Sequence, residues 1–86
     1  MITVNTVNSM KNGETATVVR VHGSGPVRKR VLDMGVTKGT VLTMVKRAPL
    51  GDPLEVKIRD YDLSLRKTEA EIIEIDGPAE PREGTE

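Results

Sequence analysis

Two stretches decide the fold: Thr40-Val41-Leu42-Thr43-Met44-Val45-Lys46-Arg47 and Leu54-Glu55-Val56-Lys57-Ile58-Arg59, separated by Pro49-Leu50-Gly51-Asp52-Pro53. The first alternates strictly, with Val41, Thr43 and Val45 on one face and Leu42, Met44 and Lys46 on the other. The second alternates as well, with Leu54, Val56 and Ile58 directed inward and Glu55, Lys57 and Arg59 outward. Period-two patterning of this kind belongs to half-buried strands. A turn with two prolines between them makes the pair a hairpin.

Reading outward toward the N-terminus, Glu14–His22 is rich in β-branched residues and stops at Gly23-Ser24-Gly25, which predicts a strand. Pro26 then stands where a helix favours its first residue, with Ser24 or Gly25 as the cap. Val27, Val31 and Met34 follow at i, i+4 and i+7 and define the apolar stripe of a short helix. Gly35 supplies the left-handed stop. Leu32 falls off that stripe, close to Arg28 on the helical wheel. Thr3–Val7 is expected to be a short first strand and Asn8–Gly13 a turn region.

Toward the C-terminus, Asp60-Tyr61-Asp62 interrupts the pattern, and Leu63-Ser64-Leu65 is expected to be a short extended piece. Arg66–Glu71 reads as a polar single turn of helix, and Ile72, Ile73 and Ile75 as a last strand. Residues 77–86 hold glycine, proline and acid with no large apolar side chain, which predicts a disordered acidic tail after a domain spanning 1–76. Five to six short strands with one short inserted helix make an all-β domain, a small Greek-key or SH3-like barrel. Long helices do not alternate with strands, so a dinucleotide-binding sheet is excluded.

A chain of 86 residues has one modest core, too thin to enclose a large catalytic cavity. Apolar runs never exceed two residues, which excludes a membrane-spanning helix, and cysteine is absent, which removes disulfides and thiolate chemistry. Both facts predict a cytoplasmic protein. Tyr61 is the only aromatic residue, so the stacking platforms of single-strand nucleic-acid binders are missing. Net charge is zero but unevenly spread: residues 1–50 sum to +6 and residues 51–86 to −6. Either the two halves interleave in space and neutralise each other, or a basic face exists.

Catalytic residues are not expected. His22 is the only histidine, no nucleophile motif accompanies it, and Gly23-Ser24-Gly25 lacks the remaining parts of a phosphate loop. Asp60, Asp62, Glu69, Glu71 and Glu74 are carboxylates close in sequence, but one histidine and no cysteine argue against a tight transition-metal site. No resident cofactor is expected, while a transient iron contact is left open. Arg28-Lys29-Arg30 is the strongest polar feature. Its cations either solvate a helix surface or steer an acidic partner, and Leu32 beside them favours a recognition patch.

The segments Arg30-Val31-Leu32-Asp33-Met34-Gly35, Thr37-Lys38-Gly39-Thr40, Ala48-Pro49-Leu50-Gly51-Asp52-Pro53 and Leu63-Ser64-Leu65-Arg66 together resemble the FeoA family, small cytosolic accessory proteins of bacterial ferrous iron transport. Asn12-Gly13-Glu14 fits the family's opening turn, and the resemblance covers about residues 8–75. Asp60 departs from the family pattern, which often has glycine before the aromatic residue. The resemblance implies an SH3-like barrel and a non-enzymatic role. It further implies contact with the cytoplasmic, GTPase-bearing region of the ferrous iron permease; the short apolar runs and the single aromatic residue mean that neither membrane insertion nor nucleic acid is expected. The contact surface expected on this basis comprises Arg28, Arg30, Leu32 and Met34 with Leu50, Gly51, Asp52 and Pro53. A similar domain ends iron-dependent transcriptional repressors, so a metal-linked regulatory domain is the alternative.

Overall fold

The computed structural model describes residues 5–59 and 61–76. Six short strands are ordered β1 (Asn5–Thr6), β2 (Thr15–Val21), β3 (Val41–Arg47), β4 (Leu54–Ile58), β5 (Tyr61–Leu65) and β6 (Ile73–Ile75) along the chain. Helix α1 (Pro26–Asp33) is inserted between β2 and β3, and the single-turn helix α2 (Lys67–Ala70) joins β5 to β6. Spatial order is β1-β6-β2-β3-β4-β5, and every neighbour is antiparallel. β2 serves both halves: Thr15–Thr17 pair with β3, and Val18–Val21 pair with β6 across a register shift between Val18 and Arg20. A strand that bends through an irregularity and changes partner is how a small sheet curls into a barrel. The architecture is the all-β, SH3-like barrel expected.

Alternation decides the core. Ala16, Val18, Leu42, Met44, Leu54, Val56, Ile58 and Leu65 face inward from β2 to β5, and Ile73 and Ile75 close the layer from β6. The inward assignment of Leu54, Val56 and Ile58 holds. Pairings such as Arg20 with Glu74 and Lys46 with Glu55 place the basic half of the chain against the acidic half, so the charges interleave.

Four local readings are corrected. β1 is shorter than expected, because the chain turns into a single 3-10 turn over Val7–Ser9 that drops Val7 into the core. Thr3 and Val4 of that expected strand, Asp60 and the 77–86 tail lie outside the described residues. Tyr61 and Asp62 do not break the pattern; they pair with Ile58 and Lys57 as the start of β5. The Ile58–Tyr61 pairing leaves a two-residue connection, and Arg59 adopts φ 58°, the positive φ such primed turns require. In β3, strict alternation ends at a bulge between Met44 and Lys46. Val45 is exposed there, and the shifted parity places Arg47, opposite Leu54, on the core side. Its guanidinium donates to the carbonyls of Asn8 and Met10 (3.0 Å to Met10) and to Asn8 Oδ1 at 3.3 Å, pinning the 3-10 segment to the barrel.

Helix α1 departs from its expected stripe as well. Val31 is fully buried, but Val27 is 40% exposed, and Leu32 packs half-buried against the core beside Met34. The helix lies on the barrel by its C-terminal half, so its buried face is wider there and vanishes in the first turn. Its end explains this. The Val36 amide donates to the Val31 carbonyl and the Gly35 amide to Leu32, a Schellman arrangement that carries Val36 beside Val31 in the core. Gly35 has φ 94°, and a Cβ there would stand 3.0 Å from Tyr61 Oη, so both backbone and space require glycine.

Candidate functional site

Helix α1 begins at Gly25, whose φ of 80° lets the chain leave β2 sharply, with Pro26 in the first turn. Arg28 leans back to β2, its Nε donating to the Val21 carbonyl at 3.3 Å. Arg30 leans the other way. Its Nε meets Glu69 Oε2 at 2.9 Å, and Glu69 is buried although Arg30 remains 64% exposed. The other oxygen, Glu69 Oε1, accepts the Arg66 amide at 2.8 Å and so caps α2. Glu69 thus uses both oxygens structurally, which explains a buried carboxylate in a chain of this size.

The Ala48–Pro53 loop is closed by Ala48 N–H to the Pro53 carbonyl (3.0 Å) and Gly51 N–H to the Ala48 carbonyl (2.7 Å). Leu50 stands at its tip, 95% exposed. Asp52 Oδ1 accepts the Lys67 amide at 3.0 Å, stitching the loop to the first turn of α2. Through α2, the loop and α1 therefore come to one place. Arg30, Asp52 and Pro53 line a shallow cleft of about 430 Å3 together with Ser64, Leu65, Arg66 and Glu69.

The structure thus gathers Arg30, Asp52 and Pro53 from the expected contact residues into one depression. Leu50 and Gly51 sit on the adjoining loop, Leu32 and Met34 are largely given to packing, and Arg28 lies at the β2 end of the helix. Ser64, Leu65, Arg66 and Glu69 lie outside the expected contact set. The Arg66-Lys67-Thr68-Glu69 spacing, with Glu three positions after the residue preceding the helix, was the available signal for Glu69.

Among the described residues no three His, Asp or Glu side chains converge. His22 Nε2 and Glu74 Oε1 meet at 2.5 Å across β2 and β6, a pair that offers two ligands at most. Also among the described residues, no helix is long and apolar enough to cross a membrane.

The family model described as FeoA domain matches residues 5–76. The chain belongs to the FeoA family. An Fe(2+) transport protein A/Fe(2+) transporter FeoB fusion protein of Porphyromonas gingivalis is 43% identical over 70 residues, which are 81% of this chain and 8% of that protein. The chain therefore corresponds to a small part of that relative. The solution structure of an FeoA-like protein from Clostridium acetobutylicum superposes with a TM-score of 0.84 at 29% identity, over 99% of this chain and 98% of the other. FeoA of Stenotrophomonas maltophilia, a procaryotic SH3 domain protein solved with zinc, gives 0.72 at 28% identity over 84% and 89% of the two chains. A manganese-dependent transcriptional repressor reaches 0.76 at 18% identity, over 87% of this chain and 37% of the repressor, which shows a common fold alone. FeoA domains are thus small SH3-like modules set in ferrous iron transport, and this chain has their fold over the described residues.

Proposed function

We propose that this FeoA-family chain is a non-enzymatic accessory protein of ferrous iron uptake, docking on the cytoplasmic, GTPase-bearing region of the Feo permease and modulating transport. One observation carries the reading: in the Porphyromonas relative the matching domain is covalently joined to the Fe(2+) transporter. Tethering raises the effective concentration of two modules that act together, and modules joined in this way meet through a binding surface. The surface we assign centres on the cleft between α1 and the Ala48–Pro53 loop, with Arg30, Asp52 and Pro53 lining it and Leu50 and Gly51 on the adjoining loop, while Arg28, Leu32 and Met34 of the expected set lie on the same helix outside the cleft. Leu50 supports it, since a large aliphatic side chain 95% exposed beside a polar-rimmed depression suits an interface anchor. The regulatory-domain alternative rests on fold alone.

Calorimetry of the purified chain against the permease's cytoplasmic region tests the reading. Saturable binding is expected, weakened about tenfold or more by Leu50→Asp. That substitution buries nothing and so leaves folding intact. Absence of binding by the wild-type chain would end the docking reading, and undiminished binding by Leu50→Asp would move the surface elsewhere.

A further inference from the structure

The cleft is bordered by an open sheet edge. β5 is the terminal strand of the order β1-β6-β2-β3-β4-β5, and on one side it pairs only with β4. Ile58–Tyr61 closes a two-residue turn, so Tyr61, Leu63 and Leu65 exchange main-chain hydrogen bonds with Ile58, Val56 and Leu54. By the same alternation the amides and carbonyls of Asp62 and Ser64 point away from β4. None of these four groups has a hydrogen-bond partner among the described residues, and both residues are exposed. An edge strand of this kind is usually blunted by a proline, a bulge or a covering element. β5 has no proline, and its pairing with β4 is regular. Helix α1 approaches it at the ends: Tyr61 Oη donates to the Met34 carbonyl at 3.2 Å, and Arg30 reaches the cleft that Ser64 and Leu65 line.

We propose that β5 binds its partner by strand addition: an extended segment of the partner pairs with the main chain of Asp62–Ser64 in the groove between β5 and α1. This rests on the docking reading above and names its mode. Main-chain pairing supplies the affinity in such complexes, and flanking side chains choose the sequence. Here the flank holds Arg30 and Arg66 beside Asp52 and Glu69, a balanced set in which Arg66 is the cation available to a partner. Arg66 makes no ion pair among the described residues, and Arg30 keeps most of its side chain in water, whereas Asp52 and Glu69 already accept main-chain and guanidinium donors. The segment that fits is extended and carries a carboxylate opposite Arg66.

The probe is the purified cytoplasmic region of the permease, titrated with wild type, Ser64→Ala, Ser64→Pro and Arg66→Gln. Proline at position 64 removes only the outward amide and leaves the β4 pairing in place. Ser64→Ala trims the side chain and keeps the outward amide, and Ser64→Pro should bind about tenfold or more weaker than Ser64→Ala, as expected when a main-chain donor is lost. Arg66→Gln should weaken binding at low salt and less at high salt. Hydrogen exchange of the wild-type chain provides a readout independent of folding by the proline variant: the Asp62 and Ser64 amides should become protected in the complex. Equal binding by Ser64→Pro, equal losses in Ser64→Ala and Ser64→Pro, or unchanged exchange at 62 and 64 would overturn strand addition while leaving docking intact. Unchanged affinity in Arg66→Gln at low salt would overturn the acidic segment. Failure of the wild-type chain to bind at all would overturn docking and strand addition together.

Discussion

Replacing Arg30 by alanine should destabilise the domain even though most of that side chain lies in water. Its Nε holds Glu69 Oε2 at 2.9 Å, and Glu69 is only 4% exposed. Glu69 Oε1 remains satisfied by the Arg66 amide, so the variant leaves one carboxylate oxygen short of a partner. A hydrogen bond to a charged group contributes about 1.5–3 kcal/mol. Water can enter from the exposed Arg30 side and recover part of it, so a loss of about 1–2 kcal/mol is expected. Arg30→Glu places a second carboxylate against a buried one and should cost about 3 kcal/mol or more. Glu69→Ala removes the buried charge along with the cap, and the coupling in a double-mutant cycle with Arg30→Ala should be about 1 kcal/mol. Urea unfolding followed by circular dichroism measures wild type, Arg30→Ala, Arg30→Glu, Glu69→Ala and the double variant. In a domain this small each kcal/mol moves Tm by about 4–8 °C. An Arg30→Ala variant within about 0.3 kcal/mol of wild type, or a coupling near zero, would refute a structural role for the pair. The result also governs binding work, because a docking defect in any Arg30 variant has to be separated from this stability loss.

Val31→Glu should prevent folding, since it sets a charge at a fully buried position, whereas Leu32→Glu should cost about 1–2 kcal/mol and still melt cooperatively; thermal melts decide between them. Arg47→Lys should lower stability by about 2 kcal/mol, because an ammonium cannot reproduce a planar fork aimed at the Asn8 and Met10 carbonyls, and urea midpoints report it. A chain ended after Asp76 should melt within about 2 °C of the full sequence, because the described core is assembled from residues between Val7 and Ile75.

Local pattern alone determined the β3–β4 hairpin, the inward set Leu54, Val56 and Ile58, the helix from Pro26 and its stop at Gly35. Each depends on steric preferences or side-chain periodicity that act within a few residues. The motif segments around Leu32 and Leu50 pointed to the family for the same reason, being contiguous in the chain. Tertiary structure alone decided the rest. The bulge after Met44 turned Arg47 inward, because bulge placement answers to what lies across the ladder. Leu32 was drawn against the core and Val27 released from it, because the buried face of a helix is set by where it rests on the sheet, and a wheel assumes a uniform neighbour. Glu69 belongs to a stretch whose pattern is that of a polar helical turn, yet it is buried because Arg30, 39 positions earlier in the chain, and the Arg66 amide meet it there. The open edge of β5 also emerged only from the assembled sheet, since whether a strand is central or terminal is a property of its neighbours in space. No periodicity within Tyr61–Leu65 carries it.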